Sequence, residues 1–237
     1  MGLFNFYKDE MKNVIITGAS KGIGFATAIE FAKAGHKVLA IARDFELLKR
    51  LQSMPEAKGN INILALDLLK EYNINDLLTS FQHVDILINN AGTLVNKPFE
   101  QISKTEIEHV YQLNVFAPFI LTQKLMPFFS ATAHIINIGS VGGVNGTQKF
   151  PGLTAYSSSK SAISCLSECL QAEFDDSGLT FNSLALGAVQ TEMLSEAFPG
   201  YPAPVTAPKM AEYVMNFALT APAVIRGKTI SVSRTTP

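Results

Sequence analysis

Charge is scarce in this chain, and thiols are scarcer. Only 16% of its 237 residues are Asp, Glu, Lys or Arg, and the formal net charge is −1. No dense run of lysine and arginine occurs, so no nucleic-acid surface is expected. No apolar stretch reaches the ~18–20 residues that a membrane span needs, and no membrane partner is expected. The opening Met1-Gly2-Leu3-Phe4-Asn5-Phe6 has neither a basic region nor a cleavage site, so it does not read as a secretory signal. Phe6 stands where a myristoylation pattern requires Ser or Thr. A cytoplasmic chain is the expectation, and there Asn145-Gly146-Thr147 means a loop rather than a glycosylation site.

Cysteine is limited to Cys165 and Cys169, four apart, and His36, His83, His109 and His134 are scattered. Two thiols without a nearby histidine make no metal site, and no metal is expected. Both cysteines lie close to an apolar stripe of Ala162, Ile163, Leu166, Leu170 and Phe174, so core or interface packing is expected of them. Repeats, low-complexity tracts and linkers are also missing.

What is present is apolar: 47% of the residues, enough for one sizeable α/β domain. Short apolar runs predict strands near 13–17, 37–42, 61–66, 84–89, 133–139, 180–186 and 229–233. Helical patterns alternate with them near 22–34, 44–53, 70–82, 104–129, 154–176 and 207–220. That rhythm predicts a doubly wound parallel sheet of about seven strands, helices on both faces, with ligand at the carboxyl ends of the strands. Residues 1–10 read as a tail ahead of a single domain over 11–237. Phe198-Pro199-Gly200-Tyr201-Pro202-Ala203-Pro204 is irregular and proline-stiffened, and belongs to a flexible loop near 190–206 covering the substrate side.

Two local patterns carry chemistry. Tyr156 and Lys160 share a helix face at i and i+4. At about 4 Å and an effective dielectric of about 20 their attraction is roughly 4 kcal/mol, which would draw the phenol down toward acid–base work near neutrality. Alone, such a pair also describes a surface tyrosine beside a solvated lysine. The second pattern is Gly18-Ala19-Ser20-Lys21-Gly22-Ile23-Gly24 between an apolar strand and a helix. Backbone N–H groups and a helix N-terminus there suit a pyrophosphate. The spacing Gly-x-x-x-Gly-x-Gly is not the commoner dinucleotide fingerprint, and a turn that merely packs helix on sheet is the alternative.

With both patterns in hand, the chain resembles the short-chain dehydrogenase/reductase family, in the compact single-domain form of the 3-oxoacyl-acyl-carrier-protein reductase-like members. The resemblance runs from about Lys12 to Ser233. Thr17-Gly18-x-x-x-Gly22-x-Gly24 is similar to its cofactor loop, and Asn89-Asn90-Ala91-Gly92 to its Asn-Asn-Ala-Gly segment. Asn114 matches the helix asparagine, and Ser140 the catalytic serine at a strand end. This implies a Rossmann-type oxidoreductase moving hydride between nicotinamide and a carbonyl or alcohol carbon. Tyr156 is then the general acid or base, and Ser140 bonds the same oxygen. Lys160 lowers the phenol pKa and holds the nicotinamide ribose. Asn114 holds a water linking Lys160 to solvent, or else simply closes a kinked helix backbone. Gly187, Val189 and Thr191 resemble the segment that grips the carboxamide.

Cofactor choice follows from charge. NAD-binding Rossmann domains carry an acidic residue at the end of the second strand, where this chain has Ala42 followed by Arg43. Arg43 with Lys21 suits a 2′-phosphate, so NADP(H) is expected, with NAD(H) the alternative. Asp44 is a possible objection, but it stands where a helix N-cap belongs. The cofactor set is Gly18, Ser20, Lys21, Gly22, Ile23, Gly24, Arg43, Asp67, Leu68, Asn90, Ala91, Gly92, Tyr156, Lys160, Gly187, Val189 and Thr191. In that set Asp67 matches the family's residue beside the adenine, or else only caps the next turn.

Three features depart from the family pattern. Leu186 replaces the usual proline before Gly187. Ser140 and Tyr156 are about three positions further apart than usual, with the extra length in 142–152. The Asp-Gly-Gly that often ends such chains is missing, which puts one common tetramer contact in doubt. A homodimer or homotetramer through the helices near 104–129 and 154–176 remains expected. Leu94, Val141, Val144, Phe150, Leu186, Val189, Met193, Leu194 and Phe198 are the expected pocket wall, suited to a small apolar ketone or alcohol. An NAD-dependent alcohol dehydrogenase and a nucleotide sensor without turnover are the alternatives.

Overall fold

The computed structural model describes residues 10–79 and 81–234. Among the described residues nine strands form: β1 (Asn13–Thr17), β2 (Lys37–Ala42), β3 (Ile61–Ala65), β4 (Val84–Asn89), β5 (Phe129–Ser140), β6 (Thr180–Leu186), β7 (Val189–Gln190), β8 (Val205–Thr206) and β9 (Thr229–Val232). The helices are α1 (Gly22–Lys33), α2 (Phe45–Gln52), α3 (Lys104–Tyr111), α4 (Ala117–Leu125), α5 (Thr154–Glu173), α6 (Glu192–Ala197) and α7 (Ala207–Thr220). Seven strands make one parallel sheet in the order β3-β2-β1-β4-β5-β6-β9, while β7 and β8 pair separately. The expected doubly wound sheet is therefore present. Its order reverses between β1 and β4, where such sheets open a ligand crevice.

Alternation along each strand builds two cores. Val14, Ile16, Val38, Ala40, Ile86, Ile88, Ile136 and Leu184 pack with α1, α2 and α7. Ile15, Leu39, Leu87, Ile135 and Phe181 face the other way and pack with α4 and the turns around Leu77 and Phe81. Asn89, Asn137 and Ser183 share this second face, where α5 answers them with hydroxyls. Asn89 Nδ2 donates to Asn137 Oδ1 at 2.9 Å, Asn137 Nδ2 to Ser167 Oγ at 2.9 Å, and Ser183 Oγ meets Ser164 Oγ at 3.0 Å. Small buried groups let α5 lie close: a Cβ on Gly139 would sit 3.0 Å from Ser183 Oγ and 3.1 Å from Ser164 Oγ.

Several expectations fail locally. Among the described residues the helix near 70–82 does not form; the segment holds a 3-10 turn at Ile74–Asp76. There Asn73 accepts from Asn75 N at 3.0 Å, a side-chain bond that competes with helix. The helix near 104–129 is α3 and α4 joined by a π-helical turn, Gln112–Phe116, and β5 already begins at Phe129. The segment near 190–206 is not a plain loop, since it carries α6 and the β7–β8 pair. Cys165 and Cys169 are exposed, which removes the core alternative of their expected core or interface packing. Of the stripe assigned to α5 only Ile163 is buried, because Ser164, Ser167 and Gln171 take the sheet side. The expected tail falls almost wholly on residues 1–9, outside the described residues.

Candidate active site

The glycine loop works by bringing bare backbone against a neighbouring strand. Gly18 and Gly22 have φ of 66° and 59°, a region that favours glycine. A Cβ on Gly18 would come within 2.8 Å of Ala91 Cα, and one on Gly24 within 2.4 Å of Asn90 Nδ2. Gly24 is thus a packing glycine behind the cleft. Thr17, which sequence reading quoted only as part of the loop, clamps the two segments. Its Oγ1 accepts from Asn90 N and Ala91 N at 3.0 Å each, while Asn90 Nδ2 donates to Thr17 O at 2.9 Å. A hydroxyl closing a strand just before a glycine turn is the signal that could have found it.

These segments open onto a cleft of about 620 Å³. Gly18, Ser20, Lys21, Gly22 and Ile23 line one side, with Arg43, Asp67 and Leu68 at the ends of β2 and β3. Asn90, Ala91, Gly92, Gly187, Val189 and Thr191 complete the cofactor set, Gly24 excepted. Arg43 is exposed and makes no ion pair among the described residues. Asp44 accepts from Leu47 N at 3.0 Å, the N-cap expected of it. Asp67 both lines the cleft and caps Leu69 N at 3.1 Å. Lys21 lies 3.9 Å from Glu196 on α6, a partner that sequence gave no means of finding. Thr191 caps α6 through Leu194 N at 3.3 Å, and Asn96 Nδ2 holds Ala197 O at 2.8 Å. Leu186 ends β6 in register with Val232, so the missing proline leaves the strand intact.

Ser140, Tyr156 and Lys160 meet on the same cleft. The Tyr156 phenol lies beside the Ser140 hydroxyl, which accepts from Gly142 N at 3.3 Å. Lys160, 5% exposed, donates to Ile138 O at 2.7 Å and has its Nζ 5.9 Å from the Tyr156 ring centroid. Burial pushes the phenol above its ordinary value, with the neighbouring Ser140 hydroxyl pulling the other way. Burial also lowers Lys160 to about 8. The expected lowering of the phenol by Lys160 is therefore reversed, because the phenol's own desolvation is the largest effect on it. Asn114 stands behind the cleft in the π-helical turn, its amide fastened to Thr93 N and Thr93 O at 2.8 and 2.9 Å.

The remaining wall is mainly apolar, with Gln148 and Glu192 among its polar members. Leu94, Val141, Phe150, Leu186, Val189, Met193, Leu194 and Phe198 line it as expected, joined by Leu153 and Tyr201. Val144 does not; its carbonyl accepts from Thr147 Oγ1 at 2.8 Å, and Gln148 and Phe150 are the loop residues on the cleft. No metal-binding group of three His, Cys, Asp or Glu occurs among the described residues, and none of their helices is long and apolar enough to cross a membrane.

A nicotinamide dinucleotide fits these residues: bare glycine backbone, a helix N-terminus, and one cleft shared by Arg43 and Tyr156. A family model described as short chain dehydrogenase matches residues 12–202. A fatty acyl-CoA reductase of Acinetobacter baylyi is 32% identical over 219 residues, 88% of this chain and 72% of that protein. A farnesol dehydrogenase of Aedes aegypti is 32% identical over 198 residues, 78% of this chain and 80% of its own. The crystal structure of 3-ketoacyl-(acyl-carrier-protein) reductase from Brucella melitensis, complexed with NADH, superposes with a TM-score of 0.84 at 26% identity, covering 94% of this chain and 97% of that one. ElxO with NADP bound gives 0.83 at 27%, with the same coverage. Fold and cleft define an oxidoreductase that uses a nicotinamide nucleotide. The chain belongs to the short-chain dehydrogenase/reductase family.

Proposed function

We propose that this protein reduces the carbonyl of a small, neutral, apolar substrate with NADPH, in the cytoplasm and as a homodimer or homotetramer. The meeting of Tyr156, Ser140 and Lys160 on one cleft carries the reading. Bound nicotinamide nucleotide supplies the hydride. Tyr156 gives its proton to the carbonyl oxygen, and a phenol raised by burial holds that proton at neutral pH, as reduction requires. Ser140 donates to the same oxygen as charge gathers there. Lys160 holds the ribose hydroxyls and steadies the phenolate left behind. Asn114 holds a water that links Lys160 to solvent. Gly187, Val189 and Thr191 grip the carboxamide. Gly18, Gly22, Ile23 and Gly24 shape the pyrophosphate site, and Asn90, Ala91 and Gly92 its floor. Asp67 and Leu68 flank the adenine. Ser20, Lys21 and Arg43 take the 2′-phosphate.

No cationic side chain joins the apolar wall, which supports a neutral substrate. Exposed Phe116, Phe119 and Ile120 on the turn before α4 and on α4 itself support association of copies there. NAD(H) is the second reading, and Lys21's pairing with Glu196 speaks for it.

Loss of NADPH absorbance with a panel of ketones and aldehydes tests the reading. Tyr156→Phe is expected to lower turnover by at least about 100-fold while NADPH still binds. Full turnover in that variant overturns the active site. Arg43→Ala is expected to weaken NADPH about tenfold more than NADH; equal losses remove the NADP preference.

A further inference from the structure

Ser159 lies between Tyr156 and Lys160 on α5 and is wholly buried, with 0% exposure. Its hydroxyl proton goes to Tyr156 O at 2.7 Å. With that proton committed, the oxygen is left only to accept, and it accepts from Asn114 Nδ2 at 2.9 Å. The second Nδ2 proton goes to Thr93 O at 2.9 Å, and Asn114 Oδ1 accepts from Thr93 N at 2.8 Å. Both amide protons are thereby committed, and the amide has one orientation. Asn114 Oδ1 and Lys160 Nζ both border Gly92, where a Cβ would stand 3.1 Å from Oδ1 and 3.4 Å from Nζ. Asn114 sits in a π-helical turn, so side-chain bonds rather than a regular helix decide where its amide points.

We propose that Ser159 is a positioning residue for the reduction, acting through Asn114: it locks the asparagine amide so that Oδ1 faces Lys160, and ties that amide to the helical turn bearing Tyr156. The proposal rests on the active-site reading above. A buried ammonium tends to shed its proton, and the negative end of a fixed amide dipole beside it opposes that loss. Apart from Tyr156, the groups near Lys160 are neutral: Ile138 O from β5, Asn114 Oδ1 from the π-helical turn, and Gly92 from the loop after β4. Burial alone accounts for the lowered lysine pKa. Releasing the amide removes this opposing dipole, and the lysine loses its charge at lower pH.

Ketone reduction by the full chain with NADPH, followed from about pH 6 to about pH 10, tests this in wild type, Ser159→Ala, Asn114→Ala and the double variant. Ser159→Ala is expected to lower kcat about tenfold, to change KM for NADPH by less than about twofold, and to move the alkaline limb to lower pH. Placed on Asn114→Ala, the same substitution is expected to cost less than about twofold. A wild-type kcat and pH profile for Ser159→Ala overturns the proposal, as does an equal loss in both backgrounds. Should Ser159→Ala melt below the assay temperature, Ser159→Cys, a weak acceptor of similar size, takes its place with a smaller loss expected in the same direction. Tyr156→Phe separates the two readings. If it stays active, the active site itself is wrong; if it is dead beside a full-rate Ser159→Ala, only the role of Ser159 falls.

Discussion

Two helices bring a lysine to the same cleft, and they reach it by opposite means. α1 packs on the sheet through Ala26, Ala28, Ile29, Phe31 and Ala32, and Lys21 at its N-cap meets Glu196 at 3.9 Å with half of its side chain exposed. α5 packs through Ser159, Ser164, Ser167 and Gln171, and its Lys160 bonds Ile138 O at 2.7 Å with 5% exposure. Apolar contact is non-directional and holds a helix down without fixing its axial register. Hydrogen bonds to Asn137, Ser183 and Phe181 N fix register as well as distance. A helix N-terminus meeting a phosphate tolerates a loose register; a phenol meeting one carbonyl oxygen does not.

The largest effect that bears on this contrast belongs to Phe31, fully buried on α1. Phe31→Ala is expected to lower unfolding free energy by about 3–5 kcal/mol, measured by urea denaturation, with kcat near wild type while the protein stays folded. A kcat that falls in the folded variant would mean that α1 also sets reacting geometry, and the contrast would break.

His134 shows that the α1–α7 face is not wholly apolar. Its Nδ1 donates to Ala218 O at 2.9 Å and its Nε2 accepts from Asn182 Nδ2 at 3.0 Å, so both nitrogens are satisfied in the neutral ring. Burial lowers its pKa to about 4 from an ordinary 6.5. Between those values the unfolded chain binds a proton that the folded chain refuses, so stability falls as pH drops from 6.5 toward 4 and is unaffected above 6.5. The loss is expected to approach about 3 kcal/mol, read as a falling urea midpoint that His134→Gln flattens. A wild-type midpoint constant across that range would show the ring to be charged or hydrated when folded.

Legibility in the sequence follows the same divide. All seven strands of the main sheet were readable because buried parallel strands are largely apolar runs, and only their ends moved, as where β5 begins at Phe129. Tyr156, Lys160, Ser140 and the glycine loop were readable because their chemistry is written in local spacing. The sheet side of α5 was not, since a search for apolar periodicity passes over serines whose partners come from distant strands. The bond from Ser159 to Asn114 spans 45 positions, and no local pattern announces it. The phenol shift was misjudged for a related reason: spacing gives the distance between two charges but not the water each one loses.

The smallest effect concerns the loose lysine. An exposed ion pair at 3.9 Å is worth between nothing and about 1 kcal/mol, and it weakens with salt. Glu196 and a 2′-phosphate are both anions, so under the NADPH reading they compete for Lys21. Removing the carboxylate charge frees the lysine for the phosphate. Glu196→Gln is accordingly expected to tighten NADPH about twofold at low salt, with NADH unchanged and the gain gone at high salt; titration of cofactor fluorescence measures it. A variant that tightens both nucleotides alike would place the effect in the movement of α6 over the cleft. The cation on α1 would then be a handle for the lid, and the two lysines would differ in task as well as in packing.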